Sequence, residues 1–298
     1  MKQPIAYHNG ELVAAEQLVV RPYDMGFMLG VTVAEQLRTF AGKLRQVDEH
    51  FRRLRSSLGI TGVDVDLAAI KVAAFEVVEH NHQLLPKGHD LGLTIFVTPG
   101  LYPTYAPDGE SEPTIGIHTY PLPFKLWAKK YEIGQACEIV SVPQVSEACW
   151  PRELKCRSRM HYYLADREAK KRNANARAIL LDEAGNLNEA STANVLVGLG
   201  SETLVSPRLE SILPGISLQH AVSFAPKADL ATEFRAIAQA ELEEANEMLL
   251  TSTPFCVLPV SNLGAKTFED RSHFEKLIAA WSNEVGFDLV EQACQFAD

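Results

Sequence analysis

The sequence predicts an α+β protein of two domains joined near residue 120. Three observations carry the prediction. Short strand patterns dominate both halves, and the helix patterns stand among them instead of alternating one for one. A composition break follows residue 119, where "YPLPFKLWAKKYEIGQ" has two prolines and little periodicity. The length, 298 residues, suits one large or two moderate domains. The expected domains are 1–120 and 121–298, with a linker near 120–131.

The elements follow in chain order. "IAYHNGELV" holds Asn9-Gly10, a strong hairpin turn between two extended runs. "VTVAEQLRTF" reads as a strand that "AGK" turns into "LRQV". Asp48 reads as an N-cap, and "EHFRRLRSSL" as a helix ending at Gly59, with Phe51, Leu54 and Leu58 toward the core. A second helix is expected through "DLAAIKVAAFEVVEHNHQL". "LGLTIFVTP" and "PTIGIHTY" read as buried strands around a Pro/Gly/Tyr-rich loop, residues 99 to 113. Beyond the linker come a strand, "ACEIVSVP", and a basic stretch leading into an amphipathic helix, "PRELKCRSRMHYYLADREAKK". "ARAILLDEAGNLNEASTANVLVGLGSETLVSP" reads as an antiparallel meander. "ILPGISLQHAVSFA" is a loop entering a helix, "EANEMLLTSTPFCVLPVSNL" gives two strands, and a helix near 270–286 closes the chain.

Composition bounds the function. The chain is 46% hydrophobic and 22% charged, a soluble globular balance. A net charge of −10 disfavours nucleic acid and membrane surfaces as partners. No apolar run is long enough to span a bilayer, and the N-terminus lacks a signal-peptide core. Five scattered cysteines with no CxxC argue against a zinc site or a disulfide framework, so no metal is expected and the compartment reads as cytoplasmic.

Four features could carry chemistry. Lys155 lies between a strand and a helix, a rigid support for a reactive residue. Glu189 lies in "LNEASTANVLV", inside the meander. "LPGIS" puts Gly215, Ile216 and Ser217 at a helix start, and "LTSTP" puts Ser252 and Thr253 at a strand end. A phosphate binds backbone N–H groups at a helix N-terminus, hydroxyl donors and an arginine, and Arg53 on the first helix could be that arginine. Each has a plainer reading. Lys155 could be a surface lysine, Glu189 an exposed strand carboxylate, and Arg53 a solvated neighbour of Arg52 and Arg55. Ser217 could merely cap its helix, and Thr253 bond its own backbone.

Taken together, "EHFRRL", "LK" before a helix ending in "REAKK", "AILLDEAGNLNEASTANVLV", "ILPGIS" and "TSTP" resemble the class IV aminotransferases in both order and spacing. These are the fold type IV enzymes that use pyridoxal 5′-phosphate, and they include branched-chain and D-amino acid aminotransferases and aminodeoxychorismate lyase. The resemblance spans most of the chain. It implies a small N-terminal α/β domain and a larger C-terminal pseudo-barrel domain that binds the cofactor. Lys155 would form the Schiff base with the cofactor, and Glu189 would pair with its pyridine nitrogen. Arg53, the amides of Ile216 and Ser217, and the Thr253 hydroxyl would hold its phosphate. The implied reaction moves an amino group between an amino acid and an α-keto acid in ping-pong fashion. A homodimer is implied too, with Leu101–Asp108 the candidate segment covering the partner's site.

The sequence also departs from the patterns of the enzymes it resembles. Where D-amino acid aminotransferases of the best-known type carry a carboxylate-binding arginine and histidine, this chain has "TPGLYPTY", with Pro99 near the expected arginine. "VAEQLRTF" differs from the branched-chain pattern, and Met160 stands where those enzymes place a tyrosine, with Tyr162 and Tyr163 just beyond. Arg38, Arg157 and Arg159 are the candidates for the substrate carboxylate, though Arg157 and Arg159 could equally form a solvated basic rim. A lyase that releases pyruvate, and a non-catalytic module with this fold, stay open as alternatives.

Overall fold

The structure is a computed structural model that describes residues 3–106 and 111–297. Its chain divides into two units, one of residues 1–122 with 153–158, the other of residues 123–152 with 159–298. The stretch around Lys155 thus packs with the first unit, whereas the sequence reading gave all of 121–298 to the second.

In the first unit, β1 (Ile5–His8) and β2 (Glu11–Ala14) form the expected hairpin. Its turn residues Asn9 and Gly10 have φ of 47° and 99°, the doubly left-handed geometry that matches strand twist. A single turn, α1 (Met25–Met28), follows and is capped by the Asp24 side chain. Then come β3 (Val33–Phe40), β4 (Lys43–Leu44), α2 (Val47–Thr61), α3 (Leu67–His82), β5 (Leu91–Thr98) and β6 (Thr114–Pro121). The six strands form an antiparallel sheet in the order β2-β1-β6-β5-β3-β4. Strand alternation sends Val33, Leu37, Leu93, Ile95, Val97 and Ile117 to one face, where they bury Phe51, Leu54 and Leu58 of α2 and Ile70, Val77 and Val78 of α3. Gln36, Arg38, His118 and Tyr120 therefore fall on the opposite face.

Two helix boundaries differ from expectation. Asp48 is inside the first turn of α2, bonded to Lys71; the cap position is Gln46, in a left-handed conformation with φ 48°. The helix runs past Gly59 and stops at Gly62, whose φ of 68° is the conformation that glycine adopts without a Cβ penalty.

In the second unit, α4 (Ala128–Ile133) leads into β7 (Gln135–Ile139) and α5 (Met160–Arg172). β8 (Arg177–Leu181), β9 (Leu187–Ala190), β10 (Asn194–Leu199), β11 (Thr203–Ser206), α6 (Ile216–Phe224) and β12 (Ala231–Phe234) follow. The chain ends with β13 (Glu247–Ser252), β14 (Cys256–Leu263), β15 (Lys266–Thr267), α7 (Ser272–Val285) and α8 (Leu289–Gln295). The region expected to be a linker is structured: Phe124, Trp127, Ala128 and Tyr131 are buried, because a turn and a short helix place these apolar groups on one side. A further helix, α8, follows the one expected to close the chain.

The strand run 177–206 is not a simple meander. The sheet order is β12-β11-β10-β13-β14-β7-β8-β9, with β15 beside β14. Between β8 and β10 lie β13, β14 and β7, and the β11–β12, β14–β7 and β7–β8 pairs are parallel. An Ala190–Ala193 bridge joins the last strand of the order back to the chain entering β10, so the sheet curls on itself. That curl brings the strand carrying Glu189 to the strand carrying Asn194. Among the described residues, no helix is long and apolar enough to cross a membrane.

Candidate active site

The first unit assembles a charged cluster on α2 and β3. Strand parity turns Glu35 to the helix-facing side, an acid among Val33 and Leu37, and it is 1% exposed. α2 answers with two residues one turn apart. Arg53 grips Glu35 with two parallel bonds, Nε to Oε1 at 2.8 Å and Nη2 to Oε2 at 2.9 Å. His50 Nδ1 lies 2.8 Å from Oε2. Burial alone would raise the Glu35 pKa, but the Arg53 charge and hydrogen bonds, with His50, hold it well below the usual carboxylate range. Burial pushes His50 down, so its ring is neutral at neutral pH.

Lys155 is fastened beside this cluster. Its amide donates to Ser57 Oγ at 3.1 Å, one turn along α2 from Arg53, and its carbonyl accepts from Ala34 N at 3.0 Å. Arg157 N donates to Thr32 O at 2.9 Å, so residues 155–157 run along the start of β3. The Lys155 charge acts on His50. The lysine, which the sequence places between a strand and a helix, thus has a backbone fixed by both α2 and β3.

The second unit builds around Glu189, which is 3% exposed. Oε1 accepts from Asn194 Nδ2 at 3.0 Å and from the Leu213 amide at 2.5 Å. Oε2 accepts from Tyr162 Oη at 2.9 Å and Gln144 Nε2 at 3.1 Å. Asn194 also donates to Leu213 O, tying "LPGIS" to β10. Burial, then the Glu189 charge, push the Tyr162 phenol far up, which keeps its proton on to donate.

Gly215 follows in the same motif, and a Cβ there would lie 1.8 Å from Asn194 Oδ1, so only glycine lets the helix start this close. α6 begins at Ile216 with no side chain capping it, leaving the amides of Ile216 and Ser217 without an intrahelical acceptor. Asn194 pairs across the sheet with Thr251, and Ser252 Oγ donates to Thr192 O, which sets the Thr253 turn beside this strand.

The remaining candidates are dispersed. Arg38 is buried, 3.8 Å from Asp90 Oδ2, with its guanidinium 4.3 Å over the Phe40 ring. Arg157 is exposed at the edge of β3. Arg159 precedes α5; burial, then the charges of Arg152 and Arg159, push His161 down to about 4. Of the covering segment Leu101–Asp108, residues 107 and 108 lie outside the described residues; Tyr105 stacks on Tyr23 with ring centroids 4.7 Å apart.

Sequence reasoning missed Glu35, Gln144 and Asn194, and gave Tyr162 no role beyond lying near the place of a family tyrosine. Glu35 was legible, since its parity with Val33 and Leu37 makes it a buried acid in need of a cation. Gln144 and Tyr162 carry no such signal, because their partner arrives from 45 and 27 residues away.

The donor set suits a phosphorylated, nitrogen-containing ring. An uncapped helix start beside hydroxyls suits a dianion. A buried carboxylate suits a protonated ring nitrogen, and Thr251 Oγ1, buried without a partner, is a further hydroxyl for such a group.

Comparison with known proteins agrees. The family described as Amino-transferase class IV matches residues 32–263. D-alanine aminotransferase of Bacillus licheniformis is 27% identical over 87% of this chain and 88% of its own length. The putative branched-chain-amino-acid aminotransferase of Methanocaldococcus jannaschii is 23% identical over 89% of this chain and 90% of its own. Among solved structures, the branched-chain amino acid aminotransferase of Escherichia coli superposes with a TM-score of 0.83 at 21% identity, covering 94% of both chains. The 4-amino-4-deoxychorismate lyase of Pseudomonas aeruginosa gives 0.78 at 22% identity, covering 95% of this chain and all of that one. With the family's model matched from residue 32 to residue 263, most of its length, this chain belongs to the class IV aminotransferase family.

Proposed function

We propose that the chain is a pyridoxal 5′-phosphate-dependent aminotransferase that moves an amino group between an amino acid and an α-keto acid. The observation that carries this reading is the pairing of family membership with a lysine whose backbone is locked to α2 and β3 next to Arg53. When bound, the cofactor supplies an aldehyde for an amino group and a ring that draws electrons from the carbon bearing that group. Lys155 holds the cofactor through its side-chain nitrogen. The Lys155 amine, when not so engaged, would be the group that moves a proton at the substrate α carbon. Arg53, oriented by Glu35, and, in the second unit, the Ile216 and Ser217 amides and the Thr253 hydroxyl are the groups that would hold its phosphate.

Glu189 keeps the ring nitrogen protonated. Its two oxygens receive Asn194, the Leu213 amide, Tyr162 and Gln144, which fix the carboxylate that would face a ring N–H. Arg38, Arg157 and Arg159 are the candidate partners of the substrate carboxylate.

The working form in this reading is a cytoplasmic homodimer. All five cysteines are free thiols, which fits a reducing compartment. Val19, Tyr23, Phe27 and Leu29 expose 59%, 51%, 74% and 57% of their surfaces within one short segment, an apolar stretch that suits a second copy. Sedimentation at micromolar concentration reads the dimer directly.

A half-reaction screen tests the activity. The holoenzyme is mixed with L- and D-amino acids one at a time, and the cofactor's visible band is followed. The reading expects at least one donor to bleach that band with release of the matching keto acid. A band that no amino donor changes points to a non-catalytic module. Pyruvate released without an amino group passing to the cofactor points to a lyase.

A further inference from the structure

Two stripes run side by side along α2. Phe51, Leu54 and Leu58 make the apolar one, and they pack into the core of the first unit. His50, Arg53 and Ser57, spaced i, i+3 and i+7, make a polar one beside it. His50 and Arg53 both turn to Glu35. Ser57 ends the stripe, fully buried, and its hydroxyl oxygen accepts the Lys155 amide at 3.1 Å. A buried hydroxyl costs stability unless it is bonded, and an alanine would suit the middle of a helix better. The packing of α2 alone therefore gives no reason for a serine here, whereas the Lys155 amide does.

β3 supplies the other side of the frame. β4 pairs only with its last residues, Thr39 and Phe40, so the same edge is open at residues 32–34. Residues 155–158 take that edge. Ala34 N donates to Lys155 O at 3.0 Å, Val33 bridges Cys156, Arg157 N donates to Thr32 O at 2.9 Å, and Ser158 Oγ donates to Gly30 O at 2.7 Å. Leu154, just before the lysine, packs against the core that holds Val33 and Leu54. These bonds grip the lysine from its carbonyl onward. Its amide N–H is held by Ser57. Neighbouring residues of β3, Ala34 and Glu35, thus face residues one turn apart on α2. Glu35 holds Arg53, and Ala34 and Ser57 together hold Lys155.

We propose that Ser57 is a positioning residue for Lys155: by bonding the lysine's amide one helical turn from Arg53, it fixes the spacing between the amine that joins the cofactor and the cation that holds its phosphate. Ser57 acts through the lysine and makes no contact of its own with the cofactor. The joining forms a carbon–nitrogen double bond between the lysine nitrogen and the cofactor's aldehyde carbon, and the aldehyde oxygen leaves as water with the two amine protons. A lysine held from its carbonyl side alone samples more positions, and fewer of them meet the aldehyde while Arg53 holds the phosphate. The proposal rests on Lys155 being the cofactor's lysine, and its test does not require turnover.

The test is a double-mutant cycle read by cofactor binding. The full chain, freed of cofactor, is titrated with pyridoxal 5′-phosphate and with pyridoxamine 5′-phosphate, which has the same ring and phosphate but no aldehyde. Ser57→Ala should weaken binding of the aldehyde form about tenfold, slow the rise of its visible band by a similar factor, and leave the amine form within about twofold of the wild type. With Lys155→Ala in place, adding Ser57→Ala should change neither affinity. Equal weakening of both forms, or a loss that persists beside Lys155→Ala, would show that Ser57 only supports the fold. An unchanged Ser57→Ala would show that the bond is idle. Each of these results overturns the proposal. A wild type that binds the aldehyde form no better than Lys155→Ala overturns the lysine assignment as well. If the cycle behaves as stated while no amino donor bleaches the cofactor band, the role of Ser57 stands and the aminotransferase reading falls.

Discussion

Glu35 is the residue on which the first unit's chemistry turns. A carboxylate with 1% of its surface exposed is tolerable only because the Arg53 charge neutralises it and Arg53 and His50 together occupy its oxygens. Its depressed pKa means the unfolded chain takes up a proton near pH 4.5 that the folded chain refuses. The stability from this group is whole above that pH and drains away as pH falls. His50 acts in the same direction from its ordinary 6.5 downward, because the unfolded ring protonates first. Glu35→Gln should therefore cost about 3 kcal/mol at pH 7 and flatten the loss of stability below pH 4.5. Urea unfolding at a series of pH values measures both. A variant as stable as the wild type at pH 7, with an unchanged acid limb, would show that the triad does not bear on folding.

At the scale of elements, Gly215 links local backbone to the site. Asn194 joins Glu189 to the loop before α6, and the helix starts directly against it. Gly215→Ala should push α6 away from Asn194, lowering stability by about 1 to 3 kcal/mol and weakening cofactor retention. Thermal unfolding and the protein-bound visible band after dialysis read the two effects; a variant equal to wild type in both would refute the contact. Much of this level was legible in the sequence. Asn9-Gly10, the core-facing Phe51, Leu54 and Leu58, and the "LPGIS" helix start all follow from local rules. What was not legible depends on distant partners. The start of α2 slid to Val47 because Gln46 adopts a left-handed turn that no side-chain pattern announces. The strand run after Arg177 was read as neighbours in sequence pairing in space, whereas β13, β14 and β7 insert between β8 and β10.

For the whole molecule, the candidate site was legible as a list of residue types and illegible as an arrangement. Lys155, Arg53 and Glu189 could be picked from motif order, but the bonds that hold them come from Ser57, Glu35, Tyr162 and Gln144, each supplied by long-range packing. The division of the chain shows the same limit. The composition break lies near residue 120 and the first unit runs to Leu122, and the short excursion of residues 153–158 into that unit has no compositional mark. That excursion attaches the lysine to α2 and β3, and the whole functional account depends on that lysine. The most direct measurement is borohydride reduction of the holoenzyme followed by peptide mass mapping. The account predicts a phosphopyridoxyl mass on the peptide containing Lys155 and its loss in Lys155→Ala. The same mass on a different lysine, or none on any, would contradict it.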